Sequence, residues 1–199
     1  SGKSYWVKSL LLRNWKGPKI HARPVLWWSP EETIDKTLHE LKKKRWEKRK
    51  LYTGVDVGEL AYQEWNEATE GSVEKFWKTV VKPTLKKLPR SGILVADDFV
   101  DAIVWRLKDG SGIQATLETM GRTGRHQNRS TISLLHRICT GWMGRTISNS
   151  CRLRVMFPRS SRSKIITWLH DKMNLPKKEA KELVNRIAIH SRWMCLHMF

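Results

Sequence analysis

Residues 93–98 read Ile-Leu-Val-Ala-Asp-Asp, a short apolar run that ends in two acids. Four consecutive apolar residues, placed after the turn-forming residues 89–92, predict a strand over 93–96. The two aspartates can cap a helix, because apolar residues recur at helical spacing from Val100 to Leu107. The centre of the chain therefore predicts a strand followed by a helix, and further elements are predicted on either side of it.

The segments before this strand predict helices. Residues 29–32, Ser-Pro-Glu-Glu, supply an N-cap, a first-turn proline and an acid at the capping-box position, and the helix that they open is expected to run to about Leu51. A short acidic helix is expected over 57–68. Another helix is expected from Ser72, with a break near Pro83.

The segments after it predict two basic loops, two further helical regions and a strand. Residues 121–129 predict a polar loop, and an amphipathic helix is expected over 130–142. Alternation predicts a strand over 152–157, and a second basic loop follows at 158–163. Two helices around the turn at 174–176 then predict a helical hairpin, of the kind found in helix-turn-helix motifs.

Together these elements predict an α+β fold that is predominantly α-helical, with a few short strands. Residues 1–28, in which tryptophans alternate with lysines and arginines, predict an extended basic N-terminal arm. Residues 29–112 predict a helical, near-neutral core region. Residues 113–199 predict an arginine-rich helical region that ends in the C-terminal helical hairpin.

The composition indicates a folded protein with a polyanionic partner. The 199 residues are 40% hydrophobic, enough to bury a core, and no long uncharged apolar run predicts a membrane span. Three cysteines are too few, and too odd in number, for a disulfide scaffold, which favours a reducing compartment. A formal net charge of +19 is most commonly neutralised by nucleic-acid phosphates.

The positive charge lies in two blocks. Residues 1–50 hold 14 Lys and Arg against 5 Asp and Glu, and residues 113–170 hold 10 against 1, whereas residues 51–112 hold 8 against 10. Nine of the ten cations in the second block are arginines, whose planar guanidinium binds phosphate through two N–H groups at once. The candidate nucleic-acid-binding residues are Arg122, Arg125, Arg129, Arg137, Arg145, Arg152, Arg154, Arg159, Arg162, Lys164, Lys42, Lys43, Lys44 and Arg45.

Three patterns in the sequence have catalytic or metal-binding character. Gly2-Lys3-Ser4 matches the end of a phosphate-binding P-loop, but no upstream glycine, preceding strand or acidic metal partner accompanies it in the sequence. Asp97, Asp98 and Asp101 are the acids of a possible metal-dependent nuclease, although acids in the first helical turn are also favoured by the helix dipole. His136, Cys139 and Cys151, or His190, Cys195 and His197, leave a zinc site open.

The sequence thus favours an RNA-binding structural subunit of a large ribonucleoprotein, most simply a mitochondrial or other organellar ribosomal protein that contacts rRNA phosphates. The tryptophan-rich arm and a first residue other than methionine support this step, and Trp27 and Trp28 are candidate partner-interface residues. No enzymatic activity, cofactor, metal, membrane or small-molecule substrate is expected. The alternatives are a DNA-binding or viral genome-packaging nucleoprotein and a metal-dependent nuclease; the other compartments considered are cytoplasm and nucleus.

Overall fold

A computed structural model of the chain describes residues 2–12, 23–29, 51–56, 74–75, 77–97, 106–134, 151 and 153–197. The chain divides into two compact units, unit 1 from Ser1 to Leu135 and unit 2 from His136 to Phe199. This division differs from the boundaries predicted at 28 and 112, because strands from all three predicted regions pair in one sheet.

Unit 1 is built on a four-stranded parallel sheet in the order β2-β1-β3-β4. The strands are β1 (Val25–Ser29), β2 (Leu51–Asp56), β3 (Ile93–Asp97) and β4 (Ser130–Leu134). In register, Val25 lies opposite both Leu51 and Ile93, and Ile93 lies opposite Ser130. The strand predicted over 93–96 is confirmed as a central strand. Residues Ile93 to Ala96 are buried, as expected where both faces of a parallel sheet are covered.

One face of this sheet is covered by helix α1 (Gly2–Leu12). Val7 and Leu11 of α1 form a buried cluster with alternate residues of the strands, namely Val25, Trp27, Ile93, Val95 and Leu134. The extended arm predicted for residues 1–28 is therefore wrong in its described parts, which are a helix and a strand. The helix forms because its apolar side chains pack against the sheet. The alternation of aromatic and basic residues in the sequence does not predict this packing.

The opposite face is covered by a π-helix (Trp77–Val81) that continues into α2 (Lys82–Lys86). The Trp28 indole meets the Trp77 ring edge-on, with centroids 6.0 Å apart, and its Nε1–H donates to Thr84 Oγ1 at 3.2 Å. The predicted break near Pro83 is confirmed, because the π-helical pattern ends where Pro83 enters the first turn of α2.

Two predictions around residue 130 are wrong. Residues 121–129, expected as a loop, include the end of α3 (Ile113–Thr123) and a 3-10 turn (Gly124–Gln127). Residues 130–134, expected to open an amphipathic helix, form β4. The apolar spacing fits either structure over so short a segment, and pairing with β3 favours the strand. Ser29 and Leu51, expected at the two ends of one helix, likewise lie in strands.

Unit 2 consists of two helices and a two-stranded antiparallel sheet. The order is β5 (Leu153–Met156), α4 (Pro158–Met173), α5 (Lys177–His190) and β6 (Met194–His197). The predicted strand over 152–157 and the C-terminal helical hairpin are confirmed, with Asn174 in the left-handed conformation at the turn. The loop expected at 158–163 is instead the first part of α4, with a kink at Ser161.

The coarse fold class holds, since the described residues combine helices and strands with helix in excess. The helix predicted over 57–68 lies outside the described residues. In the part of the chain that the structure describes, no helix has the length and apolar character needed to cross a membrane.

Candidate functional site

The carboxyl ends of the parallel strands in unit 1 meet at one edge of the sheet. Asp56 ends β2 and lies in register with Ser29, which ends β1, and Asp97 ends β3. The connection after β1 leads to β2 on one side, and the connection after β3 leads to β4 on the other. Open parallel sheets bind ligands beyond such a reversal of direction, so the candidate site lies where β1 and β3 end.

Asp97 is the described acid at this reversal point. Side chains alternate along a strand, so Asp97 lies on the same face as Ile93 and Val95, which is the face that α1 covers. Asp97 is half-buried, at the end of a strand whose other residues are buried. The fold thus places an acid on the sheet face that α1 covers, and sequence spacing alone did not connect this acid with residues 2–12.

The first turn of α1 contains the Gly2-Lys3-Ser4 sequence. Ser4 is only 7% exposed and lies on the helical stripe of Val7 and Leu11, which pack on the sheet. The Ser4 hydroxyl therefore belongs to the sheet-facing side of the helix, whereas Gly2 is exposed and Lys3 is half-buried. Free backbone N–H groups at a helix start favour anions such as phosphate.

At the amino ends of the strands, two arginines hold the backbone together. The Arg23 guanidinium donates to Ser91 O at 2.5 Å, to Gly92 O at 3.2 Å, to Ser130 Oγ at 3.0 Å and to Asn128 O. Burial lowers the pKa of Arg23 from its usual value. These bonds connect the starts of β1, β3 and β4, so Arg23 has a structural role that its basic character did not indicate.

Arg129, a predicted phosphate ligand, has a similar structural contact. Its Nη2 donates to Leu88 O at 2.5 Å and its Nε to Pro89 O at 3.4 Å, so the guanidinium fork holds the turn before β3. Arg122, by contrast, is exposed in the last turn of α3. Arg125 lies in the 3-10 turn that follows.

Trp27 and Trp28, the predicted partner-interface pair, are buried inside unit 1. Trp27 is 3% exposed and Trp28 is fully buried, each on its own face of the sheet. The expectation of an interface is therefore corrected, because side chains enclosed by α1 and by the π-helix have no surface to offer a partner.

In unit 2 the predicted cations have different surroundings. The Arg154 guanidinium lies 4.6 Å from the centroid of the buried Trp168 ring, a cation–π contact, and desolvation lowers its pKa. Arg159 donates from Nε to Ala188 O at 3.0 Å and from Nη2 to Ile189 O at 3.4 Å, which joins the start of α4 to the end of α5. Arg162 and Lys164 are exposed on α4.

Sequence reasoning did not single out the exposed surface at the end of α5. Ile189 is 71% exposed and Trp193 is 43% exposed, and Arg186, His190 and Arg192 nearby are exposed as well. The adjacent pair Arg192-Trp193 was the available signal. Several predicted residues lie outside the described part of the chain, and their predictions stay untested: Lys42, Lys43, Lys44, Arg45, Arg137, Arg145, Arg152, Asp98, Asp101, His136 and Cys139.

Within the described ranges, no three His, Cys, Asp or Glu side chains come together in a group suited to a metal ion. Cys151 and Cys195 are free thiols. Comparison with protein families, with curated proteins and with solved structures found no match to this chain.

Proposed function

We propose that this chain is a nucleic-acid-binding nucleotide hydrolase, in which unit 1 binds a nucleoside triphosphate with Mg²⁺ and the basic surfaces bind nucleic acid. The observation that carries the proposal is the helix α1. It begins with Gly2-Lys3-Ser4 and packs on a parallel sheet whose central strand ends in Asp97. Gly-Lys-Ser at the start of a helix is the final part of the P-loop motif, in which a strand and a glycine-rich loop come before it.

The direction of the chain supports this assignment. Since α1 leads into β1, its C-terminal end is expected at the amino edge of the sheet, where β1 begins, and its first turn at the carboxyl edge. Asp97 ends β3 at that carboxyl edge, on the face that α1 covers. Spacing in the sequence does not connect Gly2-Lys3-Ser4 with an acid, and Asp97 is the acidic partner that we propose.

Each residue has a distinct role in this proposal. The Lys3 ammonium would bind the β- and γ-phosphates, and the Ser4 hydroxyl and the Asp97 carboxylate would hold Mg²⁺. The hydroxyl and carboxylate oxygens are hard ligands, which Mg²⁺ prefers. Mg²⁺ usually takes only one or two protein ligands besides phosphate oxygens and waters. Mg²⁺ held there would neutralise phosphate charge. In hydrolysis, water attacks the γ-phosphorus and the bond to the β–γ bridging oxygen breaks, which releases the diphosphate and inorganic phosphate.

The test is Mg²⁺-dependent binding of a fluorescent ATP analogue, followed by phosphate release, with the protein as its gene encodes it. Lys3→Ala and Asp97→Asn are each expected to weaken binding about tenfold or more, because each removes a charged contact of about 1.5–3 kcal/mol. Lys8→Ala is the matched control for Lys3 on the same helix, and Asp109→Asn is the control for Asp97.

Circular dichroism of each variant separates loss of the site from loss of the fold. Absence of Mg²⁺-dependent nucleotide binding in the unmodified protein would overturn the proposal. Equal effects of Lys3→Ala and Lys8→Ala would also overturn it, since a general loss of charge would then explain the result.

A second candidate is the non-enzymatic RNA-binding subunit of a large ribonucleoprotein, such as an organellar ribosome. The net charge of +19 and the absence of acids from 119 to 170 favour it. Affinity for folded RNA and for duplex DNA, measured over a salt series, distinguishes this candidate from a DNA-binding or genome-packaging protein. Strong preference for folded RNA without nucleotide binding is the result expected for a ribosomal subunit, and preference for duplex DNA is the result that contradicts it.

A further inference from the structure

The charges of unit 2 are distributed unevenly along its helical hairpin. Because α4 and α5 are joined by the short turn at 174–176, the hairpin has a turn end and an open end, where α4 begins and α5 ends. Residues 153–197 contain ten Lys and Arg but three acids. All three acids, Asp171, Glu179 and Glu182, lie in the halves of the helices next to the turn.

The open end is therefore basic and free of acids among the described residues of the two helices. Its exposed cations are Arg159, Arg162, Lys164, Arg186 and Arg192. The two bonds from Arg159 to the carbonyl oxygens of Ala188 and Ile189 show that the start of α4 touches the end of α5. Cations from both helices thus lie at the same end of the hairpin.

An aromatic side chain is exposed at the same end. Trp193 follows α5 and has 43% of its surface exposed, close to the 71% exposed Ile189. The Ser191 hydroxyl donates to Trp193 O at 2.7 Å, and the Trp193 N–H donates to Ser191 Oγ at 3.3 Å. A local turn therefore holds the backbone of this tryptophan. An exposed indole next to Arg192 in the chain is suited to stacking on a planar ligand.

We propose that the open end of the hairpin binds single-stranded nucleic acid. The Trp193 indole stacks on an unpaired base, and the surrounding guanidinium groups bind the backbone phosphates, chiefly those of Arg162, Arg186 and Arg192. A single strand is favoured over a duplex because base faces are accessible for stacking only where bases are unpaired. The inference rests on the nucleic-acid-binding part of the proposed function and names the surface and the form of the ligand.

The experiment measures fluorescence anisotropy of a short labelled oligo(dT), with the unmodified protein and its variants. Trp193→Ala is expected to weaken binding about tenfold, the loss of one stacked base, whereas Trp193→Phe retains a stacking ring and most of the affinity. The double variant Arg186→Gln/Arg192→Gln is expected to weaken binding and to reduce the slope of log affinity against log salt by about 1.4, the value for two phosphate contacts on a single strand.

The matched control is Lys177→Gln/Lys178→Gln, which removes the same charge at the turn end of the hairpin. Its effect is expected to be clearly smaller. Equal effects of the two double variants would overturn the proposal, since they would indicate general electrostatic attraction. No effect of Trp193→Ala, or tighter binding of a duplex of the same length, would overturn it as well. All substituted side chains are exposed, and thermal unfolding verifies that each variant folds.

Nucleotide binding measured on the same variants distinguishes this proposal from the proposed function. If oligo(dT) binding responds as expected but the unmodified protein binds no nucleotide, the result contradicts the nucleotide site and supports the binding surface at the open end. If nucleotide binding depends on Lys3 but Trp193→Ala leaves oligo(dT) binding unchanged, the result contradicts the binding surface at the open end and supports the nucleotide site.

Discussion

Replacing Arg23 by alanine is expected to destabilise unit 1 strongly, although Arg23 is one of 38 Lys and Arg residues in a very basic chain. Its guanidinium makes four hydrogen bonds to groups at the amino ends of β3 and β4. Each such bond contributes about 1 kcal/mol net, and the acceptors are only partly able to rehydrate, so the expected loss is about 3–4 kcal/mol. This is a large part of the stability of an ordinary domain.

The assay is urea unfolding followed by tryptophan fluorescence, which the buried Trp27 and Trp28 make sensitive to the state of unit 1. Arg23→Lys retains the charge but loses the planar fork, so it is expected to lose about half as much stability as Arg23→Ala. Arg122→Ala, on the exposed end of α3, is the control and is expected to change stability by less than about 0.5 kcal/mol. Equal stability of Arg23→Ala and Arg122→Ala would refute the structural role of Arg23.

Three further predictions concern local structure. Gly92→Ala brings a Cβ within 2.4 Å of Leu88 Cδ1, so it is expected to lower the free energy of unfolding by about 1–3 kcal/mol in the same urea assay. Asp109 has its pKa lowered to about 2, first by the Ser111 hydroxyl and then by the Ser111 N–H; its stabilising effect is present above pH 3.8 and is lost as the pH falls toward 2. Ser111→Ala should raise this pKa in a carboxyl NMR titration, and an unchanged value would contradict the hydrogen bond. Asn174 has φ of 54°, so Asn174→Gly is expected to preserve the hairpin, whereas Asn174→Val should lower its melting temperature; equal melting temperatures would count against the left-handed turn.

The sequence predicts an element well where its local pattern has one solution. The apolar run at 93–96 is bounded by a turn and by acids, and the helices of unit 2 have regular apolar spacing and a turn that contains Pro176. The strand β4 is not predicted by the local sequence, because five residues of mixed polarity fit a helix equally well. The strand structure depends on pairing with β3, in which Ser130 lies opposite Ile93, 37 residues earlier in the chain. Such nonlocal pairing is invisible to a reading of local periodicity.

The candidate sites show a similar limit. Charge counting predicts that arginines meet phosphate, but it does not distinguish Arg129, which holds the carbonyl oxygens of Leu88 and Pro89, from the exposed Arg162. The alternation of tryptophan and cations near the N-terminus likewise predicts a surface, whereas Trp27 and Trp28 are core residues. Whether a side chain points into the core or to the surface depends on its strand and on the elements that pack against that strand. Composition does not predict either of these.

The relation between Gly2-Lys3-Ser4 and Asp97 shows what the fold adds. In the sequence these residues are more than ninety positions apart, and each has a sufficient local explanation. In unit 1, α1 covers the sheet face on which Asp97 lies. The start of α1 and the Asp97 carboxylate thereby become parts of one proposed site.

Hydrogen exchange with and without Mg²⁺-ATP, on the protein as its gene encodes it, tests this site most directly. Nucleotide is expected to slow exchange of backbone amides at the start of α1 and at the carboxyl end of β3 together, with little change at the amino ends of the strands near Arg23. Slower exchange at both segments, lost in Lys3→Ala, is the predicted result. Unchanged exchange at both segments in the presence of saturating Mg²⁺-ATP would contradict the assignment of a nucleotide site to unit 1.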